Sequence, residues 1–194
     1  MGSDGADSYN PQWDAVTGMA WVKSEYAPEL AVLSTWLVAL LPWSGAVLPI
    51  EVGGRQVTVV VIRFLYFRLQ YIFGISFGEQ ERPFLWVVEA PAFNQTLTTA
   101  SWVWVGAAVL SLVPLALSVA YYVDEDAHEA AMPVDPVRLQ GALLALLGVG
   151  LAAATLLFWD RQPITIPVGT VLTLVFGTLL LTVDRTDDEG VGEE

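Results

Sequence analysis

Two arginines in a hydrophobic segment are the residues best suited to binding an anion. Arg63 and Arg68 lie in the run VTVVVIRFLYFRLQYIF, residues 57–73. A guanidinium group can hold a lipid phosphate or an anionic solute through its fork of N–H donors. The alternative is that both arginines pair with carboxylates that follow in the chain, at Glu79, Glu81 or Glu89. Either role requires an element that holds the two side chains in place.

Two further groups carry charges that could bind a ligand. Glu25 and Glu29 are four residues apart, so a helix would place them on one face. They suit a cation or a basic partner, or they stabilise the positive end of a helix dipole. His128 lies in the acidic run DEDAHEAAM, where it is either part of a divalent cation site or an ordinary titrating surface group.

Several kinds of catalytic site are missing from the sequence. The chain has no cysteine, which excludes thiol catalysis, disulfides and thiolate metal sites, and it has one histidine, too few for a multi-histidine site. The HExxH, P-loop and GxGxxG motifs do not occur. We therefore expect no enzyme, no cofactor and no bound metal.

The composition is that of a membrane protein. Of the 194 residues, 55% are hydrophobic and only 15% are charged, and the mean hydropathy is +0.55. Soluble domains average about 25% charged residues. The net charge of -13 makes nucleic acid an unsuitable partner, because phosphate binding needs a basic surface. The expected partners are the lipid bilayer and either another membrane protein or a second copy of the chain.

Four uncharged stretches are long enough to cross a bilayer, which takes about 20 residues. We expect transmembrane helices over residues 28–48, 100–122, 137–158 and 164–183, packed as an antiparallel bundle. The predicted fold class is thus an all-α integral membrane protein with four spans. Aromatic residues near the span ends fit two interfacial belts, most clearly Trp102 and Trp104 against Tyr121 and Tyr122.

The segment 57–73 does not look like a fifth span. It is rich in β-branched and aromatic residues and has no alanine, which is typical of strands. We expect a β-hairpin there, within a β-rich loop over residues 49–99 that separates the first two helices. The run PFLWVVEAP, residues 83–91, predicts a further strand. This loop is too long for a simple connection, so we expect it to carry any working surface.

Small residues at helical spacing predict close packing between the helices. They are Gly141, Ala145, Gly148 and Ala152 in the third span, Gly169, Thr173 and Gly177 in the fourth, and Ala107, Ser111, Pro114 and Ser118 in the second. We expect the second and third spans to pack along these seams. The short turn at residues 160–162 makes the third and fourth spans neighbours.

Signals for the orientation in the membrane conflict. Counting Lys and Arg near the span ends places the termini outside. The N-glycosylation acceptor Asn94-Gln95-Thr96 would instead place the 49–99 loop outside. We expect a multi-pass protein of the cell membrane with cytoplasmic termini. Residues 1–20 and the acidic tail 185–194 are expected to be disordered around a membrane domain over 21–184.

The charge balance predicts a salty environment. The chain has 21 acidic residues against one Lys and seven Arg. Such repulsion is screened at molar salt, where the Debye length is about 3 Å. An organism that keeps salt in its cytoplasm explains this excess, and binding of the acidic loops to a basic partner is the alternative.

The runs MAWVKSEYAPELAVLSTWLVALLPWS (19–44) and VVIRFLYFRLQYIFG (60–74) resemble an uncharacterised family of small haloarchaeal multi-span membrane proteins. The resemblance covers most of residues 19–184 and implies four spans, a haloarchaeal cell membrane and no assigned activity. It also leaves Met1 and Met19 as alternative starts.

We expect a non-enzymatic accessory or structural membrane component whose β-rich loop contacts another protein or the lipid surface. The alternative is a subunit of a small oligomeric transporter or channel, although the spans offer few polar residues to line a path. An enzyme that acts on lipid ranks third.

Overall fold

A computed structural model describes residues 26–74, 83–93, 95–123, 134–162 and 164–183. The longer helices are α1 (Ala27–Leu40), α3 (Thr98–Val123), α4 (Pro136–Trp159) and α5 (Val168–Thr182). A one-turn helix, α2 (Ala90–Phe93), lies between 3-10 turns at Val87–Glu89 and Gln95–Leu97. The predicted disordered segments 1–20 and 185–194 fall outside the described residues.

Five strands form one antiparallel sheet. They are β1 (Ser44–Val52), β2 (Arg55–Arg63), β3 (Phe67–Phe73), β4 (Phe84–Trp86) and β5 (Thr165–Ile166), in the order β4-β3-β2-β1-β5. Gly53 and Gly54 form the β1–β2 turn with φ of 59° and 78°. Positive φ at both central residues is what a tight hairpin turn requires, and glycine adopts it without strain.

The prediction of an all-α fold with four membrane-spanning helices is wrong. The chain is a mixed α/β protein, and in the described residues only α3 and α4 are long and apolar enough to cross a membrane. They rise about 39 and 36 Å, whereas α1 and α5, with 14 and 15 residues, rise only about 21 and 22 Å. The apolar stretches 28–48 and 164–183 are each divided between a helix and a strand.

Proline explains both divisions. Leu41 precedes Pro42 and is extended, at φ -80° and ψ 146°, because the proline ring clashes with a helical residue before it. The helix therefore ends at Leu40, and the chain enters β1 at Ser44. At the other stretch, α5 starts only after Pro167, and Thr165–Ile166 pair with β1 instead. The prediction of one continuous helix over residues 28–48 is therefore wrong at Pro42.

The small-residue seam of α4 faces α5, the neighbour that the short turn predicted, whereas the sequence predicted this seam to pack against the second span. The second and third spans do pack together, with Gly150 near Ala107 and Gln140 bonded to the Pro114 carbonyl. A Cβ added at Gly177 would lie 2.5 Å from the backbone nitrogen of Ala145, and one at Gly148 would lie 2.7 Å from Leu174. A Cβ added at Gly141 would lie 2.9 Å from Leu180 and 3.0 Å from the backbone oxygen of Gly177. Ala152 is half-buried, and Gly169 packs on Pro42 and Trp43 rather than on a helix.

The helices pack against one another, and the sheet lies at one end of them. The chain leaving α1, the start of α3, the end of α4 and the start of α5 all contact the sheet or its turns, and we call this the sheet end. The opposite, terminal end holds the start of α1 and the end of α5. In between, Gln140 of α4 donates hydrogen bonds to Thr35 of α1 and to the carbonyl of Pro114 in α3. This polar link ties three helices together in the core.

Candidate functional site

The β2–β3 turn, Phe64 to Tyr66, is inserted among the helices. Leu65 is 1% exposed, and the Tyr66 hydroxyl lies 2.8 Å from Ser111 Oγ in α3. Within the turn, the N–H of Phe64 bonds to the carbonyl of Phe67, and the Tyr66 carbonyl accepts from the N–H of Val87. A non-helical segment can be buried in this way only if its backbone groups find partners.

Two tryptophans supply partners for the other two carbonyls of the turn, those of Phe64 and Leu65. Trp104 Nε1 donates to the carbonyls of Phe64 and Leu65 at 3.1 and 2.9 Å, and Trp43 Nε1 donates to Phe64 at 3.1 Å. Their rings lie 6.0 Å apart, and both side chains are almost fully buried. The sequence suggested that Trp104 belongs to a membrane-interface belt. The structure shows instead that both tryptophans hold the turn against α3.

Arg63 ends β2 beside this turn, and its side chain is 1% exposed. Its guanidinium donates to Ser44 Oγ at 3.4 Å and to the side-chain oxygen of Gln162 in the α4–α5 turn. The guanidinium carbon lies 4.3 Å from the centre of the Phe158 ring, a cation–π geometry. Among the described residues, Nε has no hydrogen-bond partner and no carboxylate forms an ion pair with Arg63.

Arg68 lies directly opposite Arg63 in the β2–β3 ladder. Its guanidinium carbon is 4.7 Å from the centre of the Phe93 ring in α2. Burial lowers the pKa of Arg63 to about 9, with a smaller contribution from the charge of Arg68, and burial lowers the pKa of Arg68 to about 10. Both groups are therefore charged at pH 7. Like charges opposite each other normally destabilise a sheet. The contacts of Arg63 with aromatic faces and neutral oxygens offset this repulsion.

This arrangement fixes the sheet to the helices. Arg63 joins β2 to β1 through Ser44, to α4 through Phe158, and to the α4–α5 turn through Gln162. The described part of the chain has no group of three His, Cys, Asp or Glu side chains that could hold a metal ion. The geometry is that of a buried joint with its donors directed inward.

A sequence profile of DUF7549, a family of unknown function, matches residues 20–185. The chain belongs to the DUF7549 family. No curated protein matches the chain. The expected resemblance to an uncharacterised family is thus confirmed, while the haloarchaeal origin and the membrane location stay predictions.

The other candidate residues of this DUF7549 chain are dispersed. Glu29 is exposed in the first turn of α1, where a carboxylate stabilises the helix dipole. It borders an open groove of about 290 Å³ between α1 and α3, with Pro28, Leu33, Tyr121 and Tyr122. Glu89 accepts a hydrogen bond from the backbone N–H of Trp86. Glu25, Glu79, Glu81, Asn94 and His128 lie outside the described residues.

One motif was overlooked in the sequence. Gly74 to Gly78 read GISFG, which fits the GxSxG pattern of a nucleophile elbow. That elbow lies between a strand of a largely parallel sheet and a helix, whereas β3 is an antiparallel strand flanked by β2 and β4. Residues 75–78 are outside the described part of the chain. The sheet context therefore gives the motif no support.

Proposed function

We propose that this DUF7549 protein is an integral membrane component without catalytic activity, with α3 and α4 crossing the bilayer. Its sheet lies at one membrane face, and α1 and α5 pack alongside the spanning pair. The observation that carries this proposal is the apolar outer surface of the two long helices. A soluble protein buries one apolar stripe per helix, whereas a helix that is apolar all round is buried in protein or lipid.

The outer surfaces of α3 and α4 support it in detail. In the most apolar 18-residue segment of each helix, only 33% of the residues in α3 and 44% of those in α4 are buried inside the protein. The side chains turned outward are large and apolar; they include Val109, Leu112, Val113, Leu146, Val149 and Leu156. In α3 no residue is charged, and in α4 only Arg138, near its start, is charged. An outward face of this kind is far more stable in lipid than in water.

Exposed aromatic residues match the thickness of the bilayer. Trp102 at the sheet end of α3 and Tyr122 at its terminal end are 60% and 80% exposed. Their separation of 20 residues corresponds to about 30 Å of helix, the thickness of the hydrocarbon core. Trp104 and Tyr121, which the sequence included in these belts, are buried instead. Trp159 is exposed at the sheet end of α4, at the level expected for the same interface.

A charge placed on α3 tests the proposal. Leu112→Arg lies at mid-span on the outward face, where a charge in lipid costs about 2.5–3.5 kcal/mol on insertion scales. We expect this variant to lose most of the membrane-inserted protein. Tyr122→Arg, at the end of the same helix, is the matched control and keeps it. The measurement is the amount retained in membranes after alkaline extraction and released by detergent.

Two results would contradict membrane insertion of α3. On the surface of a soluble protein, Leu112→Arg would be neutral or would improve solubility. If the unmodified chain leaves the membrane in alkaline buffer, or if both variants behave like it, the proposal fails.

Orientation and environment extend this proposal. We place the terminal end in the cytoplasm and the sheet end outside, in the cell membrane of a halophilic organism. The Asn94-Gln95-Thr96 acceptor, which precedes α3 in the sequence, and the excess of acidic residues support this choice. A reporter fused to the C-terminus that is active only in the cytoplasm checks the orientation, and activity of a periplasm-type reporter there would reverse it.

A further inference from the structure

The face of the sheet that points away from the helices is apolar at the turn end. Strand register places one row of residues across all five strands on this face: Ile166, Gly45, Ile62, Leu69 and Phe84. At about 4.8 Å between strands, the row is about 19 Å wide. On this face of the described strands the one charged residue is Glu51, six residues along β1 from Gly45, whereas the outer face of a solvated antiparallel sheet is polar.

Aromatic rings extend the row toward the turn. Phe67 stacks between Phe64 and Phe84 with centroid distances of 4.5 and 5.2 Å, and Trp86 meets Phe84 edge-on at 4.8 Å. Phe84, Trp86 and Ile166 are 40%, 53% and 59% exposed. Nothing in the described chain covers them.

Contacts of the neighbouring residues show at which level of α3 and α4 this row lies. Arg63, next to Ile62 in β2, lies over Phe158, and Phe158 precedes the exposed Trp159 at the end of α4. The turn beyond the row contacts Trp104 and Ser111, which follow the exposed Trp102 along α3. The row is therefore level with the aromatic residues that end the apolar surface of the spanning helices.

The sheet becomes polar in the other direction. Its far end is the β1–β2 turn with Glu51, Arg55 and Gln56, all exposed and about six residues, or 20 Å, from the row. On the outer face the residues thus change from aromatic and aliphatic ones at the row to Glu51 and Gln56 at the far end. This gradient matches a path from the membrane interface into water.

We propose that the turn end of the outer sheet face is seated in the headgroup–acyl boundary of the bilayer and anchors the sheet to lipid. This inference rests on the proposed membrane insertion of α3 and α4. The occupant is lipid because the face is continuous in height with the apolar helix surface and ends in Trp and Phe, the residues that favour this boundary. Seating stops at the boundary because edge strands β4 and β5 leave backbone groups that need water, and open sheet edges do not enter hydrocarbon.

The cysteine-free chain allows a direct test with single spin labels. Ile166→Cys and Trp86→Cys place labels near the two edges of the face, Leu112→Cys marks the middle of α3, and Gln56→Cys marks the polar end. The full chain is reconstituted into phosphatidylcholine–phosphatidylglycerol vesicles. Collision of each nitroxide with oxygen, which concentrates in lipid, and with a water-soluble nickel chelate is then measured.

We expect the labels at 166 and 86 to collide with nickel several-fold less than the label at 56, and with oxygen less than the label at 112. Nickel collision equal to that at 56 places the face in water and overturns the inference. Exclusion of both reagents means that a protein surface, either a second copy or a partner, covers the face, and this also overturns it. A label at 112 that collides freely with nickel overturns the proposed function itself, so the two failures are distinguishable. Two labels guard against a fault specific to one substitution.

Discussion

Buried polar side chains join the sheet to the helices in this protein. Trp104 donates to two turn carbonyls, and Arg63 connects three elements through one guanidinium group. A buried carbonyl without a partner costs about 1–3 kcal/mol. These contacts therefore decide whether the β2–β3 turn can stay among the helices.

Replacing Trp104 tests this role at a single residue. Trp104→Phe removes the indole N–H that bonds to the Leu65 carbonyl and leaves a smaller ring in the core. We expect the free energy of unfolding in detergent to fall by about 2–4 kcal/mol from the lost bond and the cavity. Trp102→Phe, at an exposed position of the same helix, should change it by less than about 0.5 kcal/mol. Equal effects of the two changes would contradict the assignment.

A second residue-scale prediction concerns Arg63. Lysine keeps the positive charge but has no planar fork to reach both Ser44 and Gln162. We expect Arg63→Lys to lower the free energy of unfolding by about 1–3 kcal/mol, whereas Arg138→Lys, at a largely exposed side chain, leaves it nearly unchanged. Denaturant unfolding in detergent measures both. If Arg63→Lys were as stable as Arg138→Lys, the role of the Arg63 guanidinium in joining the sheet to the helices would be refuted.

At the scale of the elements, backbone approach between α4 and α5 holds the later half of the chain together. Gly177 lets the backbone of Ala145 come close, whereas Gly150 has only Ala107 at an ordinary distance of 3.8 Å. The two glycines occupy helix interiors and differ mainly in this contact. They form a matched pair for substitution.

We expect Gly177→Ala to lower the free energy of unfolding by about 1–3 kcal/mol, because the added methyl group meets backbone that cannot rotate away. Gly150→Ala should be neutral or slightly stabilising, since alanine has the better helix propensity by about 1 kcal/mol. Thermal unfolding in detergent gives both values. A Gly177→Ala variant as stable as Gly150→Ala would show that the helices can separate without cost.

At the scale of the whole molecule, the net charge of -13 is the largest electrostatic feature. Screening of this repulsion is nearly complete by about 1 M salt, where the Debye length is about 3 Å. We expect the unfolding temperature to rise steeply with KCl up to about 1 M and then to level off. A rise that continues linearly to 3 M would indicate exclusion of salt from the surface instead, and no rise would refute self-repulsion.

Composition and local pattern determined much of this molecule. The uncharged lengths around 100–122 and 137–158 predicted helices close to α3 and α4, because long apolar runs rich in alanine and leucine have few other ways to satisfy their backbone. The β-branched run 57–73 predicted strands for the residues that form β2 and β3. Periodicity and residue type act locally, so a single sequence is enough to predict the helices and strands that depend on them.

Only the tertiary structure decided what the apolar stretches 28–48 and 164–183 become. Proline sets where each helix ends or begins, but strand pairing decides what the remaining residues become. Residues from Ser44 form a hairpin with β2, and Thr165–Ile166 pair with β1, a strand far earlier in the chain. The burial of Arg63 over Phe158, and the choice of Trp43 and Trp104 over the other tryptophans as partners of the turn, depend on the same long-range contacts. A contact between residues 99 positions apart, such as Arg63 with Gln162, leaves no periodic signal in the chain.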